Sequence, residues 1–299
     1  MEVSLIICTR DRCRQLARCL DAVRSISFDR RWELIVVDNG SVDETTATIQ
    51  NFINTVPILT RYVLERKPGL GNAHNAGLQV ARGEILAFTD DDCYPAPDFL
   101  TRIWSGFKDP SIGYLTGRII LHDPADHPVT IRESTVPLTF PEKSFVPVGA
   151  VAGANMAFRR EALREIGGFD PLFGPGSLFN AEELDAAGRA SAMGWKGQYR
   201  PEVAVRHHHG RKAADAPGLW KSYGIGAGAY HMKLLLKGRQ YLWFAQSVYQ
   251  IRQRAKISRR MLLWEPVGAM KYLCVYLAEV FRAPFGNLLL RQRAGRELG

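Results

Sequence analysis

The sequence predicts an α/β domain built on a doubly wound, mostly parallel sheet, and three observations predict it. Four short apolar runs alternate with four helical segments in about the first hundred residues, the pattern of βα units joined by right-handed crossovers. Polar residues directly follow three of those runs, at Thr9 to Asp11, at Asp38 and at Asp90 to Asp92. In one parallel sheet such strand ends share an edge, so their polar groups converge on one crevice. With 46% hydrophobic and 23% charged residues in 299, the chain can bury the core of one large or two small domains.

Val3 to Ile7 is a buried-strand candidate, ended by Cys8-Thr9-Arg10-Asp11-Arg12. From Cys13 to Ser25, Leu16, Leu20 and Val23 recur at helical spacing. Glu33 to Val37 is a second strand, closed by Asp38-Asn39-Gly40. Ser41 and Glu44 have the spacing of a capping box, which opens a helix to about Asn54. Ile58 to Val63 is a third strand, and Gly69-Leu70-Gly71 leads into a helix from Asn72 to Arg82. The apolar run from Glu84 then ends in Asp90-Asp91-Asp92 before Pro95, as a fully buried strand of a parallel sheet would. Beyond it, Pro97 and Asp98 start a helix carrying Phe99, Ile103, Trp104 and Phe107. Residues 111–121 read as extended and 122–147 as a long loop of the kind that walls a site. Small residues from Gly149 to Asn155 allow close backbone approach, and Arg159 to Ile166 is a short helix closed by Gly167-Gly168.

Three aspartates at a strand end repel one another unless a cation lies between them, and hard divalent cations take carboxylate and phosphate oxygens. The competing reading is a solvated acidic turn. Asp38 reads as a crevice residue, whereas Asp43 reads as a partner of a helix dipole. Asn180 with Glu183 has capping spacing at the start of a helix to about Met193, with Glu182 in its first turn and Asp185 paired to Arg189. Strand alternation puts Val203, Val205, His207 and His209 on one face, and two inward histidines at a strand end favour metal or phosphate contact. The sequence argues against a dehydrogenase-type nucleotide site, because the G-x-G-x-x-G it needs after the first strand is absent.

Residues 200–299 carry 18 Lys and Arg against 5 Asp and Glu, a balance of +13, while residues 1–199 balance at −4. Basic residues interleave there with apolar runs, and Pro266 starts an apolar helix to about Arg282. We expect residues 211–299 to be a basic helical appendage that either packs on the body or makes a peripheral membrane contact, and not a nucleic-acid module. Five cysteines without a C-x-x-C pair and the absence of a signal-type leader predict a reducing, cytoplasmic setting.

As a set, these motifs resemble the inverting family 2 glycosyltransferases over about residues 3–210. The resemblance implies the GT-A fold: a Rossmann-like, mostly parallel sheet flanked by helices, here with the helical appendage. Residues 1–95 would bind the nucleotide sugar and 96–210 the acceptor. Cys8 to Arg12 is similar to the family's first nucleotide loop, and Val37 to Asp43 to its second. Gly69 to Gly77 matches its glycine-rich helix start, with His74 where arginine is common, and Asp90-Asp91-Asp92 matches its D-x-D. The resemblance assigns the donor to Thr9, Arg10, Asp11, Asp38, Gly71, Asn75, Asp90 and Asp91. It gives the metal, Mg²⁺ or Mn²⁺, to Asp90 and Asp92, with His207 added from the strand pattern, and the acceptor side to Gly153, Asn155 and Glu182. Glu183 falls where the family has its catalytic base, normally aspartate.

The implied reaction takes a sugar from a nucleotide-diphosphate sugar to an acceptor hydroxyl on a glycan or lipid-linked molecule, in polysaccharide, glycolipid or glycoconjugate synthesis. The alternatives are an inactive nucleotide-sugar-binding scaffold and a D-x-D phosphohydrolase.

Overall fold

Nine strands make one sheet in the computed structural model, which describes residues 1–237 and 262–294. Three βα units and a fourth strand run β1 (Val3–Thr9), α1 (Cys13–Arg24), β2 (Trp32–Asp38), α2 (Thr45–Thr55), β3 (Thr60–Leu64), α3 (Leu70–Val80) and β4 (Ile85–Asp90). Then follow β5 (Cys93–Pro95), α4 (Phe99–Gly106), β6 (Ile112–Leu121), β7 (Leu138–Phe140), β8 (Asn155–Arg159), α5 (Arg160–Glu165), α6 (Glu182–Met193) and β9 (Lys196–His207). The order is β3-β2-β1-β4-β8-β6-β9-β5, with β7 also on β9. Strands β1 to β4 are mutually parallel, and β8 enters antiparallel to both β4 and β6.

Both faces of the parallel part are covered, so its strands read as unbroken apolar runs. Val3, Leu5 and Ile7 pack with Leu16, Leu20 and Val23 of α1 and Phe99 and Ile103 of α4. Ile6 and Val37 point the other way, where a Cβ on Gly77 of α3 would lie 2.8 Å from Ile6 and 3.2 Å from Val37. That glycine lets the helix seat directly on the sheet.

The expected division at residue 95 runs through this one sheet. The compact units are Met1–Leu219 and Trp220–Gly299.

Two departures from pattern shape the second half of the sheet. β9 runs alongside β6, but its residues 201–203 leave the ladder between the Gly117–Arg200 and Arg118–Ala204 pairs. Pro201 has no N–H to give a ladder. The bulge brings the Val203 carbonyl against Gly117, where a side chain would collide with it. Asn155 fills the junction, its Nδ2 donating to the carbonyls of Arg118 and Val203 at 2.9 Å each.

The helix α7 (Ala216–Leu236) runs into the second unit, where it meets α8 (Glu265–Ala294) at glycines: side chains on Gly228 and Gly268 would strike the backbone of Glu265 and Ile225. The aromatic, basic stretch expected between these helices lies largely in residues 238–261, outside the described residues.

Candidate active site

β1 continues into β2 and β3 on one side, while its other neighbour is β4. The order reverses between β1 and β4, and the crevice beyond such a switch point is where α/β sheets bind ligands. Thr9 ends β1 and Asp90 ends β4, so the aspartate triad sits at the mouth of this crevice.

The three carboxylates have different surroundings. Asp91 is buried, accepts a 2.6 Å hydrogen bond from Thr9 Oγ1, and lies 3.3 Å from Arg12 Nε. Burial pushes its carboxyl up to about 7, against the opposing pull of Arg12 and Thr9. Asp92 is also buried, but its Oδ2 accepts from Arg12 Nη2 at 2.5 Å and its Oδ1 lies 3.1 Å from His207 Nε2. Burial alone would raise Asp92; the hydrogen bond and charge of His207, with Arg12, outweigh it and hold the carboxyl well below the usual range. Asp90 is half-buried, and burial followed by the charge of Asp92 raises its carboxyl. Ligand atoms of Asp90, Asp92, Cys93 and His207 all lie within 4.8 Å of one another. Burial drives the Cys93 thiol far up; the hard donors of the cluster are two carboxylates and one imidazole. Such a set suits Mn²⁺ or Mg²⁺, with the imidazole favouring the former.

β9 reaches this point through its pairing with β5, which sets Cys93 opposite His207. The backbone N–H of His208 donates to the Asp92 carbonyl at 2.8 Å, while its ring turns away to Tyr94 Oη, also 2.8 Å off. His209 Nδ1 accepts from the Arg211 backbone N–H at 3.0 Å and lies 3.7 Å from Asp126. Thus the alternation expected for 203–209 brings His207 to the triad and leads His209 to Asp126. A second Asp/His cluster, Asp123, Asp126 and His208, lies on that side, where Lys212 Nζ already pairs with Asp126 at 2.6 Å.

A second acidic pair opens α6. Glu182 is buried, with its Oε1 3.5 Å from where a Cβ on Gly153 would stand. Its carboxyl is raised well above the usual range by burial and then by Glu183. Glu183 is pushed to about 7, again by burial first, opposed by its own backbone N–H and by a hydrogen bond from Glu182. The two carboxyls thus perturb one another, and burial favours the neutral form of each. Both feel the charge of Asp90. Ala181 turns the chain into this helix at φ 91°, a left-handed conformation that costs a non-glycine residue about 1–2 kcal/mol. Such strain accumulates where side-chain placement matters.

Asp38 is buried at the end of β2, its Oδ1 accepting from Ser41 N at 2.7 Å and its Oδ2 lying 3.3 Å from Tyr62 Oη. Arg10 is exposed at the rim, 3.6 Å from Asp11.

Several expected residues have other occupations. Asp11, at φ 52°, accepts from Val42 N at 2.7 Å and receives Ser41 Oγ on its own N–H, tying the first loop to the second. Ser41 is thereby taken, and the capping box with Glu44 does not form; Asp43 instead accepts from Thr45 N and from Cys13 N, serving two helix starts. Asn180 is not the cap of α6, because Ala181 holds that position without a side-chain bond. Asn75, expected on the donor, spends its amide on Phe169 N and O, at 2.8 Å each. A Cβ on Gly71 would meet the carbonyls of Phe173 and Asp170 at 2.7 and 2.9 Å, so this glycine admits the 170–174 loop. Asn155, expected on the acceptor side, is the buried sheet clamp described above. His74 is sealed against Phe88 and Phe169, and burial alone lowers it to about 3, which leaves no cation for a phosphate.

Arg12 was not among the expected site residues, and its signal is topological: a basic residue after β1 faces whatever ends β4. Glu33 is likewise a structural residue invisible in the pattern, accepting from Ser4, Arg61 and Arg82 N at 2.7–2.8 Å at the opposite end of the sheet.

A family model described as Glycosyl transferase family 2 matches residues 4–167, more than half of the chain. The chain belongs to glycosyl transferase family 2. The match ends before Glu182, so the carboxylate pair of this family 2 chain rests on its own geometry. Glycosyltransferase AglE of Haloferax volcanii is 24% identical over 234 residues, spanning 78% of this chain and 74% of AglE. The pre-mycofactocin glycosyltransferase of Mycobacterium tuberculosis is 26% identical over 220 residues, 72% of this chain, which covers only 44% of that relative. Among solved structures, the mannosyltransferase PcManGT from Pyrobaculum calidifontis, in complex with GDP-Man and Mn²⁺, is similar at a TM-score of 0.62. It is 21% identical and aligns over 90% of this chain and 80% of its own. The family 2 chain is a glycosyltransferase with the GT-A fold, which displaces the phosphohydrolase alternative.

Proposed function

We propose that this glycosyltransferase moves a sugar from a nucleoside-diphosphate sugar to an acceptor hydroxyl with inversion, assisted by a divalent cation. The observation that carries the reading is the cluster of Asp90, Asp92 and His207, whose ligand atoms lie within 4.8 Å of one another, with the Glu182–Glu183 pair near enough to feel the charge of Asp90. The GDP-Man and Mn²⁺ bound by the similar mannosyltransferase support it.

Each residue then has a task. Asp38, at the end of β2, accepts from the nucleoside, and Thr9 fixes Asp91 under the donor. Asp90, Asp92 and His207 hold the cation, which when bound neutralises charge developing on the leaving diphosphate. Glu183 takes the acceptor's hydroxyl proton as attack occurs on the face opposite the leaving group, and Gly153 leaves space beside Glu182 for the acceptor. A thermal-shift screen of UDP-, GDP- and dTDP-sugars with Mn²⁺ or Mg²⁺ tests the donor class. The matching donor at 100 times its dissociation constant should stabilise the protein by about 2.7 kcal/mol. No shift with any nucleotide sugar, metal present, would refute the reading.

The acceptor we propose is a glycan or lipid-linked hydroxyl at the cytoplasmic face of a membrane. No helix among the described residues is long and apolar enough to cross one. Leu263, Val267, Met270 and Leu277 are exposed at helical spacing on and just before α8, within the segment whose charge balance is +13. An apolar stripe beside basic residues suits an anionic lipid surface, which contributes about 1 kcal/mol per nearby Lys or Arg. Salt-sensitive co-sedimentation with anionic but not neutral vesicles is the expected result, lost on truncation near residue 240. A monodisperse protein that sediments with neither lipid would rule the contact out.

A further inference from the structure

We infer that Arg12 is the residue that makes cation binding depend on the donor: it occupies the acidic triad when the site is empty of ligands and passes to the donor's diphosphate when both bind. The inference rests on the metal and donor reading above.

The geometry is that of an internal counter-cation. Arg12 spans two carboxylates at once, Nη2 at 2.5 Å from Asp92 Oδ2 and Nε at 3.3 Å from Asp91 Oδ1. Asp92 Oδ1 is meanwhile directed to His207 Nε2 at 3.1 Å. Both oxygens of the carboxylate that would ligate a cation are therefore engaged by donors from β9 and from the β1–α1 loop. A cation entering among Asp90, Asp92 and His207 must displace the guanidinium from Asp92 or share that carboxylate with it. Two cations on one buried carboxylate repel, and burial weakens the screening that would relieve them.

Arg12 is free to leave. Its side chain is 35% exposed, and it stands in the loop between Thr9 and the start of α1, next to Asp11, whose own contacts bind it to Val42 and Ser41 rather than to the triad. A guanidinium released there has a diphosphate as its natural partner, because its planar fork pairs with phosphate as it does with carboxylate. His74, at the position where the family often has arginine, is buried and uncharged and cannot serve. Arg10 and Arg12 are the cations of the first loop, and Arg12 is the one already at the triad.

By linkage, a residue that the cation must displace and the donor must recruit makes each ligand strengthen the other by one common factor. The protein would bind the cation weakly alone and tightly with a nucleoside diphosphate.

The test is Mn²⁺ binding to the full chain, read by the loss of the free-ion electron paramagnetic resonance signal, without nucleotide and with saturating GDP or UDP. Arg12→Gln keeps a polar side chain of similar reach without the charge. It is expected to tighten Mn²⁺ binding about tenfold in the absence of nucleotide and to cut the factor by which nucleotide improves it correspondingly. Arg12→Lys keeps the charge but not the two-carboxylate bridge, and it should fall between; melting curves of both variants establish that they fold. Asp92→Asn is the control on the underlying reading. If it keeps wild-type Mn²⁺ binding, the metal assignment itself fails. If Asp92→Asn loses Mn²⁺ while Arg12→Gln binds it no better than wild type without nucleotide, including no detectable binding in either, the Arg12 inference is overturned and the metal assignment stands.

Discussion

Glu183→Gln is expected to slow sugar transfer by about 10²–10⁴-fold, the usual contribution of a general base, with donor affinity and melting temperature near wild type. Glutamine matches glutamate in shape and can still receive the hydrogen bond that Glu182 donates, but it cannot take a proton. The pH profile separates this from a structural effect. Burial sets the Glu183 carboxyl at about 7, so wild-type kcat/KM should fall tenfold per unit as pH drops below about 7 and level off above it. In the glutamine variant the residual rate should lose that limb. Stability runs the opposite way. A carboxyl whose folded pKa is raised favours the fold while protonated, and that contribution is lost as pH rises through about 7. The variant, uncharged throughout, should therefore melt no lower than wild type at pH 8. Full transfer activity in Glu183→Gln would end the base assignment, leaving Glu183 as the first-turn residue of α6.

The contrast between what the sequence showed and what it hid follows from the range of each interaction. Strands β1, β2 and β4 and helices α1, α3 and α4 were legible because burial on both sheet faces demands apolar runs, and Leu16, Leu20 and Val23 mark a helix face wherever the chain goes. The convergence of Asp38, Asp90 and Thr9 followed from parallel order alone. Partner choice was not legible. Ser41 has capping spacing, yet Asp11, 30 residues away, competes for its hydroxyl and prevails, because a loop at φ 52° needs that anchor. Asn75 and Asn155 lie in stretches that match the family at its substrate-binding regions, but both are consumed by backbone groups of segments far along the chain. Gly71 is required by a loop a hundred residues later, which its own stretch does not announce. Glu182 and Glu183 read as capping residues by spacing; only the fold buries Glu182, half-buries Glu183 and brings both near enough to feel Asp90.

Asp92→Asn is the second substitution with a large expected effect: nucleoside-diphosphate affinity should become insensitive to Mn²⁺. Loss of groups that merely orient a metal ligand costs about 10–100-fold in metal affinity, and Asp92 is placed to be the ligand itself, so at least the upper end of that range is expected. The fold should survive. Asparagine keeps the shape of the side chain but gives up a charge that His207 and Arg12 stabilise, so some stability is lost, while the Asp92 backbone carbonyl keeps its bond from His208 N. Arg12 retains Asp91 as a partner. Two further variants resolve the histidines. His208→Ala removes the ring that meets Tyr94 but preserves the backbone N–H holding the Asp92 turn, so metal dependence should change little. His207→Ala removes the imidazole 3.1 Å from Asp92 and should weaken metal dependence clearly more. Titration of GDP and UDP with and without Mn²⁺ measures all three. Unchanged metal dependence in Asp92→Asn would remove Asp92 from the site, and equal losses in the two histidine variants would remove His207.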